Sequence, residues 1–238
     1  MAAASALIEA LAKSLGRTSS SVEAYALSLR RHGWWAESKV GRGARPLTDM
    51  DGAKLLLAIL GEGPKSLPSF FLEYANMVVL PEQADQPALR ALRERLDLPA
   101  SAKLLDFVEA FVRAFREDTV CDVVFHRSSP PGMLEDHVFD GPGVELRIMG
   151  PMPFGQISFL PTDELRDAAD QPEVGRAGRH RIVFVHEWYG LHAENSGEDK
   201  EAFAAAIAEL RAERARGVGF ERFIGGREFQ AIGEALKD

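Results

Sequence analysis

The sequence predicts an α+β chain, and three observations carry that prediction. Apolar residues recur at helical spacing from the N-terminus to about residue 116. Between residues 121 and 187 the pattern changes to short runs rich in Val, Ile and Phe, the composition of strands. Glycine- and proline-bearing breaks at 62–68 and 81–87 punctuate the helical stretch. The expected order is a helix–turn–helix–hairpin–helix head, a helical middle, and a small antiparallel sheet accompanied by helices. At 238 residues, an average of about 150 residues per domain suggests one or two domains. The division falls at residue 61, giving a head at 1–61 and an α+β body at 62–238.

The head begins with a helix from Ala3 to Leu15, with Leu7, Ile8, Leu11, Ala12 and Leu15 on one face. Gly16 stops it, since glycine enters the left-handed cap without strain. Arg17 and Thr18 form the turn. Ser19, Ser20 and Ser21 are the N-cap candidates for a second helix, supported by Glu23. That helix runs to about His32, buries Val22, Ala26 and Leu29, and ends at Gly33. Trp34–Glu37 reads as a strand, Ser38–Ala44 as a basic glycine-bearing tip and Arg45–Leu47 as the return strand. Thr48 or Asp49 caps a third helix, Asp51–Leu60.

In the body, helices are expected over Phe70–Val79, Ala88–Leu96 and Ala102–Arg116. The last carries Leu104, Leu105, Val108, Phe111, Val112 and Phe115 on one broad apolar face. Strands are expected at Cys121–His126, Val144–Met149, Gln156–Leu160 and Arg181–Glu187, with a long loop at Ser128–Gly143. Asp199–Arg216 reads as a helix, and Glu221–Leu236 ends in one more. Phe107, Phe111 and Phe115 form a stripe that serves either as core or as a dimer seam.

Charge is distributed unevenly. The chain as a whole carries −8. Residues 1–48 hold Lys13, Arg17, Arg30, Arg31, Lys39, Arg42 and Arg45 against Glu9, Glu23 and Glu37, a local +4 that leaves −12 on the rest. A basic head on an acidic body suits local attraction to phosphate with repulsion elsewhere. The second helix can turn Ser20, Ser21, Ala24, Ser28 and Arg31 toward a groove. Its N-terminal amide groups can also hold a phosphate. Arg30 and Arg31 suit backbone phosphates, and of Lys39, Arg42 and Arg45 on the hairpin, Arg42, flanked by Gly41 and Gly43, suits a minor groove.

LAKSLGRTSSSVEAYALSLRRHGWW, followed by GRGARPLT, resembles winged helix-turn-helix transcription regulators. Its continuation LTDMDGAKLLLAIL is similar to uncharacterised regulators of alphaproteobacterial phages, prophages and gene-transfer-type elements. The resemblance covers about the first 60 residues, with Trp34-Trp35 standing where an aliphatic pair is usual. It implies groove contacts from Thr18 to Arg31 and a wing contact from Arg42. The candidate DNA-binding set is therefore Arg17, Thr18, Ser19, Ser20, Ser21, Ala24, Ser28, Arg30, Arg31, Lys39, Arg42 and Arg45. The expected protein is a cytoplasmic, homodimeric, sequence-specific regulator of double-stranded DNA. Repression is the preferred sign, and prophage-like or gene-transfer genes are the expected context. The body would dimerise, bind an effector or meet a protein partner.

No catalytic residue, cofactor, metal or membrane contact is expected. No apolar run reaches the roughly 20 residues of a membrane span, and Glu9 and Lys13 argue against a signal peptide. Cys121, the only cysteine, permits no intrachain disulfide and reads as buried. His186, Glu187 and His192 lack the four-residue histidine spacing of a helical zinc site. Cys121 and His126 would point to opposite faces of one strand. Arg147 and Arg181 are weak candidates for an effector anion. Two alternatives stay open: a DNA-binding packaging or assembly protein, and an enzyme that gathers His126, His137 and His186 on the sheet.

Overall fold

The computed structural model describes residues 4–35, 46–61, 63–123, 126–127, 141–150, 154–162, 180–186 and 220–237. Four helices open the chain: α1 (Ala4–Ser14), α2 (Ser19–Arg31), α3 (Asp49–Ile59) and α4 (Leu67–Ala75). After β1 (Val78–Val79) come α5 (Pro81–Ala84), α6 (Pro87–Leu96) and α7 (Leu104–Arg116). A 3-10 turn at Val120–Asp122 leads to β2 (His126–Arg127) and β3 (Gly141–Pro142). The main strands are β4 (Val144–Gly150), β5 (Phe154–Phe159), β6 (His180–Val185) and β7 (Phe220–Gly225), and α8 (Gly226–Lys237) follows. The mixed α+β expectation is met, with helices first, an antiparallel sheet in the C-terminal half and a helix at the end.

The sheet has five strands in the order β1-β6-β5-β4-β7, every pair antiparallel. Alternation along the strands turns Leu146, Ile148, Ile157, Ile182, Phe184 and Ile224 to one buried face. The helices close that face. Phe107 of α7 meets Phe184 of β6 edge-on at 5.2 Å. Phe111 and Phe115 meet Phe229 of α8 at 6.0 and 5.9 Å. The phenylalanine stripe is thus core in this fold.

Several sequence expectations shift. Phe70–Val79 is not one helix: α4 ends at Ala75, and Val78-Val79 pairs with Phe184 and Val185. Two consecutive β-branched residues suit a strand edge better than a last helical turn. Pro81, expected as a breaker, starts the short α5 at a first-turn position where its missing N–H costs nothing. Of the strand expected over Cys121–His126, Cys121 and Asp122 lie in a 3-10 turn that Val123 closes, after a left-handed Asp118 at φ 58°, and His126 begins β2; residues 124–125 lie outside the described residues. Cys121 is exposed in that turn, contrary to its expected burial. The segment from Glu221 holds a strand as well as a helix, with β7 pairing along β4 from Phe220↔Gly150 to Gly225↔Glu145. Of the expected hairpin, Trp34, Trp35, Pro46 and Leu47 are described, and none lies in a strand. Gly33 at φ 70° lets the Trp34 N–H donate back to the Leu29 carbonyl at 3.0 Å, which closes the helix instead. The rest of that hairpin and the helix expected at 199–216 lie outside the described residues.

One apolar cluster runs from Leu7 of α1 to Leu236 of α8. Head and body meet along α8. The Ser14 hydroxyl donates to Glu228 Oε1 at 2.8 Å, and a Cβ placed on Gly52 of α3 would lie 2.7 Å from Ile232. Gly233 approaches α7 still more closely: a Cβ there would sit 2.8 Å from the backbone of Phe115 and Arg116. Alanine has about 1 kcal/mol more helix propensity than glycine, yet backbone cannot yield as a flexible side chain does. Gly233→Ala is expected to destabilise by about 1–3 kcal/mol, the usual cost of overpacking, read as a lower urea midpoint.

The α3–α7 seam also holds two strained acids. Asp49 Oδ2 accepts from Arg116 at 3.1 Å, while Oδ1 is buried without a partner. Burial pushes its carboxyl above the usual range, with Arg116 opposing. Burial pushes Glu109 of α7 up too, opposed by Arg113 and reinforced by Asp49. Such acids hold protons more tightly folded than unfolded, so their share of stability falls as pH rises through the folded values. Glu109→Gln should therefore stabilise the chain at pH 7–8, with the gain shrinking toward pH 4. Urea midpoints of both proteins across that range check it.

Candidate nucleic-acid interface

The candidate surface is built on the α1–α2 pair. Leu7, Ile8, Leu11 and Ala12 of α1 are buried, as are Val22, Tyr25, Ala26 and Leu29 of α2. Gly16 at φ 62° reverses the chain, and the Arg17 N–H donates to the Ala12 carbonyl at 2.8 Å. The turn is therefore the glycine C-cap expected from the sequence. The N-cap differs. Thr18, in extended backbone, accepts from the Ser21 N–H at 3.3 Å, so the cap lies one residue before the first candidate serine and α2 starts at Ser19. Glu23 lies beyond this cap and stands exposed.

This local geometry sorts the candidate residues. Arg17, Thr18, Ser19, Ser20 and Ser21 are all exposed at the α2 N-terminus, a contiguous patch of small hydroxyls with one guanidinium. Among the described residues Arg17 has no ion-pair partner. Ala24 is half-buried. Ser28 does not face a groove: it is 7 % exposed, and its hydroxyl donates to the Pro64 carbonyl at 2.8 Å. Arg30 also turns inward, its guanidinium 4.9 Å from the centre of the Trp35 ring and its Nε buried without a partner. Helical periodicity alone could not reveal this: the 63–68 turn that meets Ser28 comes from a distant part of the chain, and Arg30 turns to a ring beyond the end of the helix. Arg31 remains exposed. Lys39, Arg42 and Arg45 lie outside the described residues.

The aromatic pair after α2 is explained by packing. Trp35 is buried, and half-buried Trp34 stacks between His32 and Phe71 at 5.1 and 4.9 Å. These rings tie the end of α2 to α4.

The alternative sites divide differently. Among the described residues no three His, Cys, Asp or Glu side chains gather as a metal site. His126 belongs to the two-stranded β2–β3 sheet and His186 follows β6 of the larger sheet. His137, Glu187 and His192 lie outside the described residues. Arg147 is engaged by Glu145 at 2.9 Å, so its charge is already countered. Arg181 is exposed. Among the described residues no helix is long and apolar enough to cross a membrane.

No family model matches the chain, and no curated protein or solved structure is significantly similar to it.

Proposed function

We propose that the chain is a sequence-specific DNA-binding regulator of transcription whose head works as a winged helix-turn-helix. The observation that supports this most is the α2 N-terminus, where a glycine turn and a Thr18 cap leave Arg17, Thr18, Ser19, Ser20 and Ser21 exposed together. The first amides of the helix and the positive end of its dipole attract phosphate there, and short side chains let the helix approach base edges. Ala24 lies one turn further along. The basic segment bearing Lys39, Arg42 and Arg45 supplies the second contact, in the manner of a wing. Ser28 and Arg30 leave the contact set because their side chains hold the fold together.

The protein acts by occupying DNA, without covalent chemistry. A homodimer on two half-sites would block polymerase, so repression is the favoured sign, with prophage-like or gene-transfer genes as the context. The −12 carried beyond residue 48 keeps the body off the duplex. Duplexes enriched from a random pool test the reading, with fluorescence anisotropy of the wild-type chain and Ser20→Glu across a salt series. Selection of one sequence, a steep negative salt slope and a weakened variant support it. Equal binding of every duplex favours a packaging or assembly protein.

A further inference from the structure

Three large hydrophobic side chains stand exposed among the described residues: Leu27, Leu72 and Phe223. Leu27 lines a groove, and helical spacing sets Leu72 one turn beyond Pro68 of its wall. Leu27 (42 % exposed) lies on α2 beside Ala24, and with the 63–68 turn these residues line that groove, of about 880 Å³. Pro64 and Pro68 add apolar surface to it. Leu72 (49 % exposed) follows Pro68 by one turn of α4.

The walls are held in place. Ser28 ties α2 to the Pro64 carbonyl at 2.8 Å, Ser66 donates to the Gly63 carbonyl at 3.2 Å, and Trp34 on Phe71 braces the end. A groove shaped before its ligand arrives loses little conformational entropy on binding. The rim is cationic: Arg31 and Lys65 both line it, and among the described residues neither has an ion-pair partner.

We propose that this groove docks an amphipathic segment of another protein, apolar along one face and flanked by carboxylates. The apolar floor asks for leucine-like side chains, and the two cations ask for acids beside them. A second copy of this chain suits the groove poorly, because a two-fold contact through it would set one cationic rim against another. A duplex would satisfy the cations but leave Leu27, Pro68 and Leu72 against charged backbone. The site uses the C-terminal half of α2; Arg31 lies 11 residues from Ser20, roughly 16 Å along the helix axis. It shares Ala24 and Arg31 with the proposed DNA-facing set, but the Arg17–Ser21 patch lies outside it, so Ser20→Glu tests the DNA contacts and the peptide tests the groove.

The probe is a synthetic 18-residue amphipathic helix with a leucine stripe flanked by glutamates, compared with the same peptide carrying lysines. Fluorescence anisotropy should show the wild-type chain binding the glutamate peptide about tenfold more tightly, as two favourable ion pairs allow. Arg31→Glu combined with Lys65→Glu should reverse the order. Leu27→Gln, at a surface position that leaves the fold intact by circular dichroism, should weaken the glutamate peptide about fivefold. Absent binding, or equal affinity for both peptides, would overturn the proposal. So would wild-type self-association that Leu27→Gln abolishes.

Discussion

Replacing Phe229 with alanine is expected to cost about 3–5 kcal/mol, the usual range for deleting a buried aromatic ring. Phe229 is fully buried on α8, packed against Phe111 and Phe115 of α7. A loss of that size is a large share of the ~5–15 kcal/mol that holds a domain folded. At this chain length each kcal/mol moves the melting temperature by about 2–4 °C, so a fall on the order of 10 °C should follow. The diagnostic part is which regions melt. One apolar cluster joins α1, α3, α7, α8 and the sheet, so the loss should reach the head. Two of the three tryptophans, Trp34 and Trp35, report from the end of α2. Tryptophan fluorescence and far-ultraviolet circular dichroism should therefore shift together. An unchanged fluorescence transition beside a lowered dichroism transition would mean that the head folds by itself.

Ser20→Glu should separate stability from DNA binding. Ser20 is the second residue of α2, exposed beside the Thr18 cap. A carboxylate in the first turn interacts favourably with the helix dipole, by about 0.3–1 kcal/mol. The variant should be as stable as the wild type or slightly more so. The same carboxylate would face the phosphates the patch is proposed to bind, and DNA affinity should fall at least about tenfold, a change on the order of 1.4 kcal/mol. Opposite signs for stability and affinity remove misfolding as an explanation. Undiminished affinity would put the DNA contact elsewhere.

What could be read from the sequence follows from range. The helices of the head were legible because each is specified locally: an apolar stripe, a left-handed glycine at Gly16 or Gly33, the Thr48 cap of α3. The three central strands were legible from their Val, Ile and Phe content. The rest depended on distant partners. Val78-Val79 became a strand because β6 offers an edge, and Phe220–Gly225 because β4 does. The candidate site was legible in the same proportion. Arg17–Ser21 is a local feature and stands exposed as expected. Ser28 and Arg30 share the periodicity of exposed positions but meet Pro64 and Trp35. The groove beside α2 carried no sequence signal, because its second wall is 36 residues from Ser28 along the chain.

The most direct test of the proposed regulator is a map of the DNA it occupies in its source cell, made with the wild-type chain and with Ser20→Glu at matched abundance. Discrete peaks at promoters that share one sequence, lost in the variant, are the predicted result. A wild-type map without enrichment, or with peaks that persist in the variant, would contradict it.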